Sequence, residues 1–211
     1  MPQRFTARAL TPVLALIATV STASAAETDI TIGMQLEPPH LDPTSAAAGA
    51  IDNVVYSNIF EGLTRFMGDG SVVPGLAKSW DISDDGLRYT FHLRGDVQFH
   101  DGTAMDAADV KFSLDRARAE DSTNAQKALF SGIADVAVID PLTVALTLEA
   151  PNGNLLFNLA WGDAVIVAPE TIETIKSNPV GNGEFRFVNW VQGDSIDLAR
   201  NGDYWGTAPV H

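Results

Sequence analysis

From Tyr89 to Arg94 the chain alternates without a break. Tyr89, Phe91 and Leu93 are apolar, while Thr90, His92 and Arg94 are polar. Successive side chains of a strand point to opposite faces, so this stretch reads as a strand with one buried and one solvated face. Val136-x-Val138 and Val144-x-Leu146-x-Leu148 repeat the pattern around Asp140-Pro141 and predict a hairpin. Phe185 to Trp190 and Ser195 to Ala199 predict a second hairpin, turning at Gln192-Gly193-Asp194. Asp29 to Met34 alternates as well and reads as a further strand.

Helical spacing lies between these strands, so the fold class is α/β. Thr103-x-x-Asp106 or Asp106-x-x-Asp109 can cap a helix running to about Arg118, with Val110, Leu114 and Ala117 as its buried stripe. Ala46 to Leu63 predicts another helix, with Ile51, Val54, Val55 and Ile59 on one face and Gly62 as its stop. Val72 to Gly75 reads as a turn, and Leu76 to Trp80 as a short helical or extended piece.

Residues 1–25 have another character. Arg4 and Arg8 precede the apolar run Leu10 to Val20, and small residues Ser21 to Ala26 follow. This is the layout of a cleaved secretory signal peptide, with Ala23-x-Ala25 as the cleavage site. The apolar run is too short to span a bilayer, which needs about 20 residues. No cysteine follows to carry a lipid, and none in the chain supplies a disulfide, a Cys-bound metal or a thiol nucleophile. The expectation is a periplasmic protein of residues 26–211. A formal charge of −14 opposes binding to nucleic acid and to anionic membranes.

Motifs for chemistry are sparse. His40, His92, His100 and His211 have no metal-ligand spacing. Asp81-x-Ser83-x-Asp85-Gly86 opens like a calcium loop, but its twelfth position is His92 where a bidentate acid is needed, so a polar turn is the reading. Gly181-Asn182-Gly183 lacks the lysine of a phosphate loop, and no Gly-x-Ser-x-Gly elbow occurs. The chain is read as a binding protein that is not an enzyme and needs no cofactor or metal.

Seven segments in order resemble the bacterial extracellular solute-binding proteins of family 5, the peptide and nickel receptors of ABC importers. They are Leu41-Asp42-Pro43, Asn58 to Leu63, Val73 to Trp80, Tyr89 to Arg94, Val97 to Thr103, Asp109-Val110 with Ser113-Leu114, and Arg200-Asn201 with Asp203 to Gly206. Asn178 to Phe185 resembles the family's Pro-Val-Gly-Thr-Gly-Pro-Tyr but carries Asn182 and Glu184 in place of threonine and proline. The resemblance implies a periplasmic-binding-protein-like (type II) lobe with mixed sheets and flanking helices, one of two lobes that trap solute between them. Gly62, Gly75 and Gly102 read as turn or close-approach positions, and Trp80, Phe91 and Phe99 as core.

By the same resemblance, ligand contacts of this lobe come from two stretches. In the first, Ser45, Ala46, Ala47 and Gly49 are small and leave room for a bulky solute. In the second, Trp161 stacks on ligand, Gly162 follows, and Asp163 meets an amine; the competing reading puts Trp161 in the core and Asp163 in solvent. The implied role is capture of peptides or a related small solute, as a monomer, for a membrane ABC permease. Members continue beyond the point where His211 stands, so residues 26–211 are expected to form the N-terminal lobe without the second. Two alternatives stay open: a truncated, inactive receptor fragment and a secreted enzyme. Weak or absent peptide binding and marginal folding are expected of the single lobe.

Overall fold

A computed structural model describes residues 29–207. The signal-peptide reading of residues 1–25 therefore lies outside the described residues. Among the described residues there are eight strands and four α-helices, in the order one helix, four strands, two helices, two strands, one helix, two strands. The main sheet is antiparallel, in the order β3-β4-β6-β5: β3 is Ala77–Ile82, β4 Arg88–Leu93, β5 Ile133–Asp140 and β6 Thr143–Leu148. The alternation in β4 has its expected effect. Tyr89, Phe91 and Leu93 are buried, and Phe91 lies opposite Trp80 on one side and Val144 on the other. The calcium-like stretch is the polar turn between β3 and β4, where Asp85 accepts from Ser83 Oγ at 2.6 Å and from Leu87 N–H.

Helix α2, Ala107–Arg118, covers the buried face with Val110, Leu114 and Ala117. Of the two capping pairs the sequence offers, Asp106–Asp109 closes its first turn, not Thr103–Asp106. Asp106 accepts from the amides of Ala108 and Asp109, and Asp109 accepts from the Asp106 amide at 2.8 Å. Lys127–Phe130 (α3) places Phe130 in the same core. Two two-stranded sheets complete the strands. Thr64–Phe66 (β1) pairs with Val72–Pro74 (β2), and Phe185–Val191 (β7) with Ser195–Arg200 (β8).

A second core lies around α1, Gly49–Val55, where Ile51, Val54 and Val55 meet Leu41, Ile59, Phe60, Val165 and Val167. The predicted helix over Ala46 to Leu63 is thus much shorter. It ends at Val55, and Ser57, at φ 59°, turns the chain out of it. The next residues turn at 57–59 and form a main-chain hub. The Asn58 and Ile59 carbonyls accept from Phe185 and Gly183, Glu61 O accepts from Ile166, and the Gly62 and Leu63 carbonyls accept from Leu76 and Gly75. Glycine is needed where these chains meet: a Cβ on Gly181 would fall 1.8 Å from Ile59 O, and one on Gly75 2.6 Å from Gly62 O. Gly62 is therefore a close-approach residue and not a helix stop.

Two other expectations change. Val72 to Gly75 is mostly strand β2 rather than a turn, because Val72 and Val73 find partners in Phe66 and Arg65. Asp29 to Met34 alternates like a strand but forms none, with Ile30 and Ile32 exposed. Alternation supplies a face, but among the described residues no neighbouring backbone pairs with it.

His100 ties the hub to β4's continuation. Its Nε2 reaches Gly183 O at 3.1 Å and its Nδ1 accepts from Gly181 N–H. Burial pushes its pKa down to about 4, only partly opposed by the Gly183 bond. Because the unfolded imidazole titrates near 6.5, the unfolded chain takes up a proton that the folded chain refuses. This contribution is complete above 6.5 and is lost as pH falls from 6.5 to about 4, at up to about 1.4 kcal/mol per pH unit. Urea midpoints measured across that window should fall less steeply for His100→Gln than for wild type; parallel curves would contradict the assignment.

Candidate functional site

The loop after Leu41 is held by a knot that the sequence did not reveal. Asp42 is fully buried and accepts from Thr44 N–H at 2.9 Å, Thr44 Oγ1 at 2.6 Å and Arg116 Nη2 at 3.1 Å. Arg116 Nη1 also contacts Thr44 Oγ1. Burial alone would raise the Asp42 pKa, but the Thr44 hydroxyl and the Arg116 charge outweigh it and hold the carboxyl below its ordinary range. The knot fixes where Ser45 to Gly49 emerge. Ser45 and Ala46 are half-buried, and Ala47 and Gly49 are exposed. Thr44 and Arg116, with Ala119, Asp121, Ser122 and Thr123, border a cavity of about 190 Å³.

The second predicted stretch packs against α1, so the structure brings both stretches to the same helix. Tyr56 Oη donates to Ala160 O, and a Cβ on Gly162 would sit 2.6 Å from Asp52 Oδ1. Asn124 Nδ2, from the loop after α2, donates to Asp163 O at 2.8 Å.

Trp161 is 39% exposed and belongs to an aromatic cluster. Its ring stands edge-on to Phe66 at 6.0 Å and to Phe157 at 6.2 Å, and Phe66 meets Phe157 at 4.7 Å. Phe157 follows Leu156 in α4, Leu155–Asn158, and is itself 43% exposed. Trp161 is thus neither core nor free; its neighbours fix the ring and leave a face to solvent.

Asp163 is buried rather than solvated, with 8% of its surface exposed. Burial first, and then the Asp52 charge, push its pKa up to about 6. Burial raises Asp52 as well. Sequence reasoning missed Asp52 because it occupies a polar position in a helical pattern. It missed Arg116 and Asn124 because their partners lie 74 and 39 residues away. The Asp42-x-Thr44 spacing, a common side-chain-to-backbone turn, was the one readable signal.

Other motif residues hold the frame. Glu61, nearly buried, accepts from Tyr204 Oη at 2.8 Å and Trp205 Nε1 at 2.7 Å. The Arg94 guanidinium carbon lies 4.1 Å above the Trp205 ring. Asn182 Oδ1 accepts from Glu61 N–H, and Asn201 Oδ1 accepts from Arg186. Among the described residues no group of three or more His, Asp or Glu is placed to hold a metal, and no helix is long and apolar enough to cross a membrane.

This architecture is that of type II periplasmic binding proteins. A periplasmic binding protein from A. tumefaciens, AgaA with agropinic acid, superposes with TM-score 0.76 at 33% identity, over 81% of this chain and 35% of that one. Campylobacter jejuni NikZ with Ni(L-His) gives 0.74 at 31% identity, over 82% and 35%. Residues 71–211 match the family described as bacterial extracellular solute-binding proteins, family 5 Middle. The chain belongs to that family, whose members are solute-binding proteins and not enzymes. The glutathione-binding protein GsiB of Pectobacterium atrosepticum is 38% identical over 169 residues, which is 78% of this chain and 33% of the relative. The chain thus spans about a third of the length of the curated relatives it matches.

Arg116→Ala would leave Asp42 charged and fully buried without its counter-ion. Breaking a wholly buried pair costs roughly 3–5 kcal/mol; with the Arg116 side chain 30% exposed, about 2 kcal/mol is expected. Urea denaturation checks this, and Asp42→Asn in the Arg116→Ala background should recover part of the loss. A loss below about 0.5 kcal/mol would mean the knot is a surface contact.

Proposed function

We propose that this chain supplies one solute-contacting face of a substrate-binding component of an ABC importer, capturing peptides or a related small solute. The observation that carries the reading is the face made by α1 and residues 160–163. There a fixed, half-exposed aromatic cluster stands beside buried polar groups, the usual make-up of a small-molecule site. Ser45, Ala46, Ala47 and Gly49 form its open margin, and Trp161, Gly162 and Asp163 its floor. Family membership supports a solute-binding role over catalysis, and similarity to glutathione-binding proteins supports a peptide-like ligand.

The remaining parts of the proposal follow from this role. Residues 1–25 direct export and are removed after Ala25, and residues 26–211 act as one lobe in the periplasm. The protein is a monomer that engages a membrane permease and not nucleic acid. A second reading, that the chain alone has little activity, is favoured by the exposed apolar side chains of Ile30, Ile32, Met34 and Leu36, which are unpaired here.

Tryptophan fluorescence and amide NMR shifts, followed during titration with glutathione and dipeptides, test the role. Weak, millimolar binding that Trp161→Ala abolishes is expected, because one face covers only part of a solute. Micromolar binding would overturn the single-lobe assignment. Shifts that ignore Trp161→Ala would overturn the site. Catalytic turnover abolished by a point substitution would overturn the non-enzymatic reading.

A further inference from the structure

We propose that the cavity between β1 and the segment after β8 binds a small α-amino acid, with its carboxylate on Arg65 and its ammonium on Glu184. The site lies on the side of β1 turned away from the solute-contacting face. The inference therefore goes beyond the solute-binding reading and does not rest on it.

The placement follows from strand geometry, since successive side chains of β1 point to opposite faces. Thr64 Oγ1 donates to Leu156 O at 2.7 Å and Phe66 meets Phe157 at 4.7 Å, so both turn toward α4 and the aromatic cluster. Arg65 turns the other way, with its guanidinium carbon 6.0 Å from the Trp205 ring. There Arg65, Glu184, Tyr204, Trp205, Gly206 and Thr207 border a cavity of about 300 Å³, within the size range of small-ligand sites.

Two charges in this wall have no partner. Arg65 Nε is buried and meets no acceptor. Such a donor costs more unmade than a made bond gains. Among the described residues the ion pairs of arginine and lysine go to Asp42, Asp115 and Asp203, and neither Arg65 nor Glu184 enters one. The neighbouring charges are already engaged. Glu61 has one oxygen on Tyr204 Oη and the other on Trp205 Nε1. Arg94 donates from Nε to Gly75 O at 2.8 Å and lies 4.1 Å above the Trp205 ring. The aromatic wall is thus fixed, while the cation and the anion beside it are uncommitted.

Opposite charges that line one cavity without meeting select a ligand that carries both. The guanidinium presents a planar fork of N–H donors that fits a carboxylate, and the Glu184 carboxylate accepts from an ammonium. A simple anion would face Glu184 and a simple cation would face Arg65, so one wall charge repels each. An α-amino acid holds both charges on one carbon, and its side chain has the Tyr204 and Trp205 rings to lie against. Direct pairing of Arg65 with Glu184 is the competing arrangement, and it would leave no charge for a ligand.

The test compares L-alanine with propionate, which lacks the ammonium, and with ethylammonium, which lacks the carboxylate, on the full chain at neutral pH. The NMR signals of Arg65 Nε–H and the Trp205 indole, with the amide shifts of Gly206 and Thr207, give the affinities. Alanine is expected to bind with millimolar affinity, at least about fivefold more tightly than either probe. Arg65→Gln is expected to abolish binding, and Glu184→Gln to bring alanine down to the affinity of propionate. If Arg65→Gln does not fold, Glu184→Gln decides alone. Propionate or ethylammonium binding wild type as tightly as alanine overturns the proposal, because one wall charge then goes unused. No saturable shift with any probe overturns it as well, in favour of the direct Arg65–Glu184 pair. Shifts confined to residues 160–163 put alanine on the solute-contacting face, which sinks this site and supports the other.

Discussion

Residues 58–63 are the constraint on which the rest of the molecule depends. Their backbone is engaged from several sides at once: by Gly183 and Phe185, by Ile166, by Gly75 and Leu76, and by the Asn182 side chain. A peptide group buried without a partner costs more than a hydrogen bond gains, so a segment this enclosed has to be satisfied completely. Four glycines from three separate motifs serve this one segment. Gly62, Gly75, Gly181 and Gly183 all stand where a Cβ would strike main chain, at distances between 1.8 and 2.8 Å. Glu61 then extends the hub to Tyr204 and Trp205 through its carboxylate.

The candidate site inherits its geometry from that hub. The strand-like run through Ile166 is registered against Glu61, so the residues just before it, 160–163, are delivered to the side of α1. The first helix leaves the hub in the other direction, and its preceding loop is tied to α2 through Asp42 and Arg116. Both margins of the face are therefore anchored to elements of the two cores, while the side chains between them remain open. Charge is handled differently in the two zones. In the frame Asp42 and Glu61 are buried with donors, whereas on the face burial and the Asp52 charge push the Asp163 carboxyl up.

Much of the frame was legible in the sequence, because it depends on local periodicity. The two-residue alternation in β4, the β5–β6 hairpin and the Asp106–Asp109 cap are decided within a dozen residues and fold as read. The hub was not legible as such. Its partners come from 121 and 143 residues away, and a segment held mainly through its backbone leaves no side-chain pattern. Asp29 to Met34 shows the converse, an alternating pattern for which no backbone partner lies among the described residues. For the site, a family resemblance pointed to the stretches at Ser45 to Gly49 and Trp161 to Asp163. The opposing Asp52, a polar residue on a helix, carried no signal that distinguishes a site from a solvated surface.

The long reach of the Glu61 contacts also sets the order in which this polypeptide can become native. Loop closure across more than 140 residues has to be completed before the carboxylate meets its donors. Until residues 181–205 are in place, Glu61 and the 58–63 carbonyls lack several of their partners. Structure dominated by such distant pairings forms slowly and late. The 58–63 segment therefore waits for residues 181–205, and this part of the fold assembles as one late step rather than growing outward from its earliest strands.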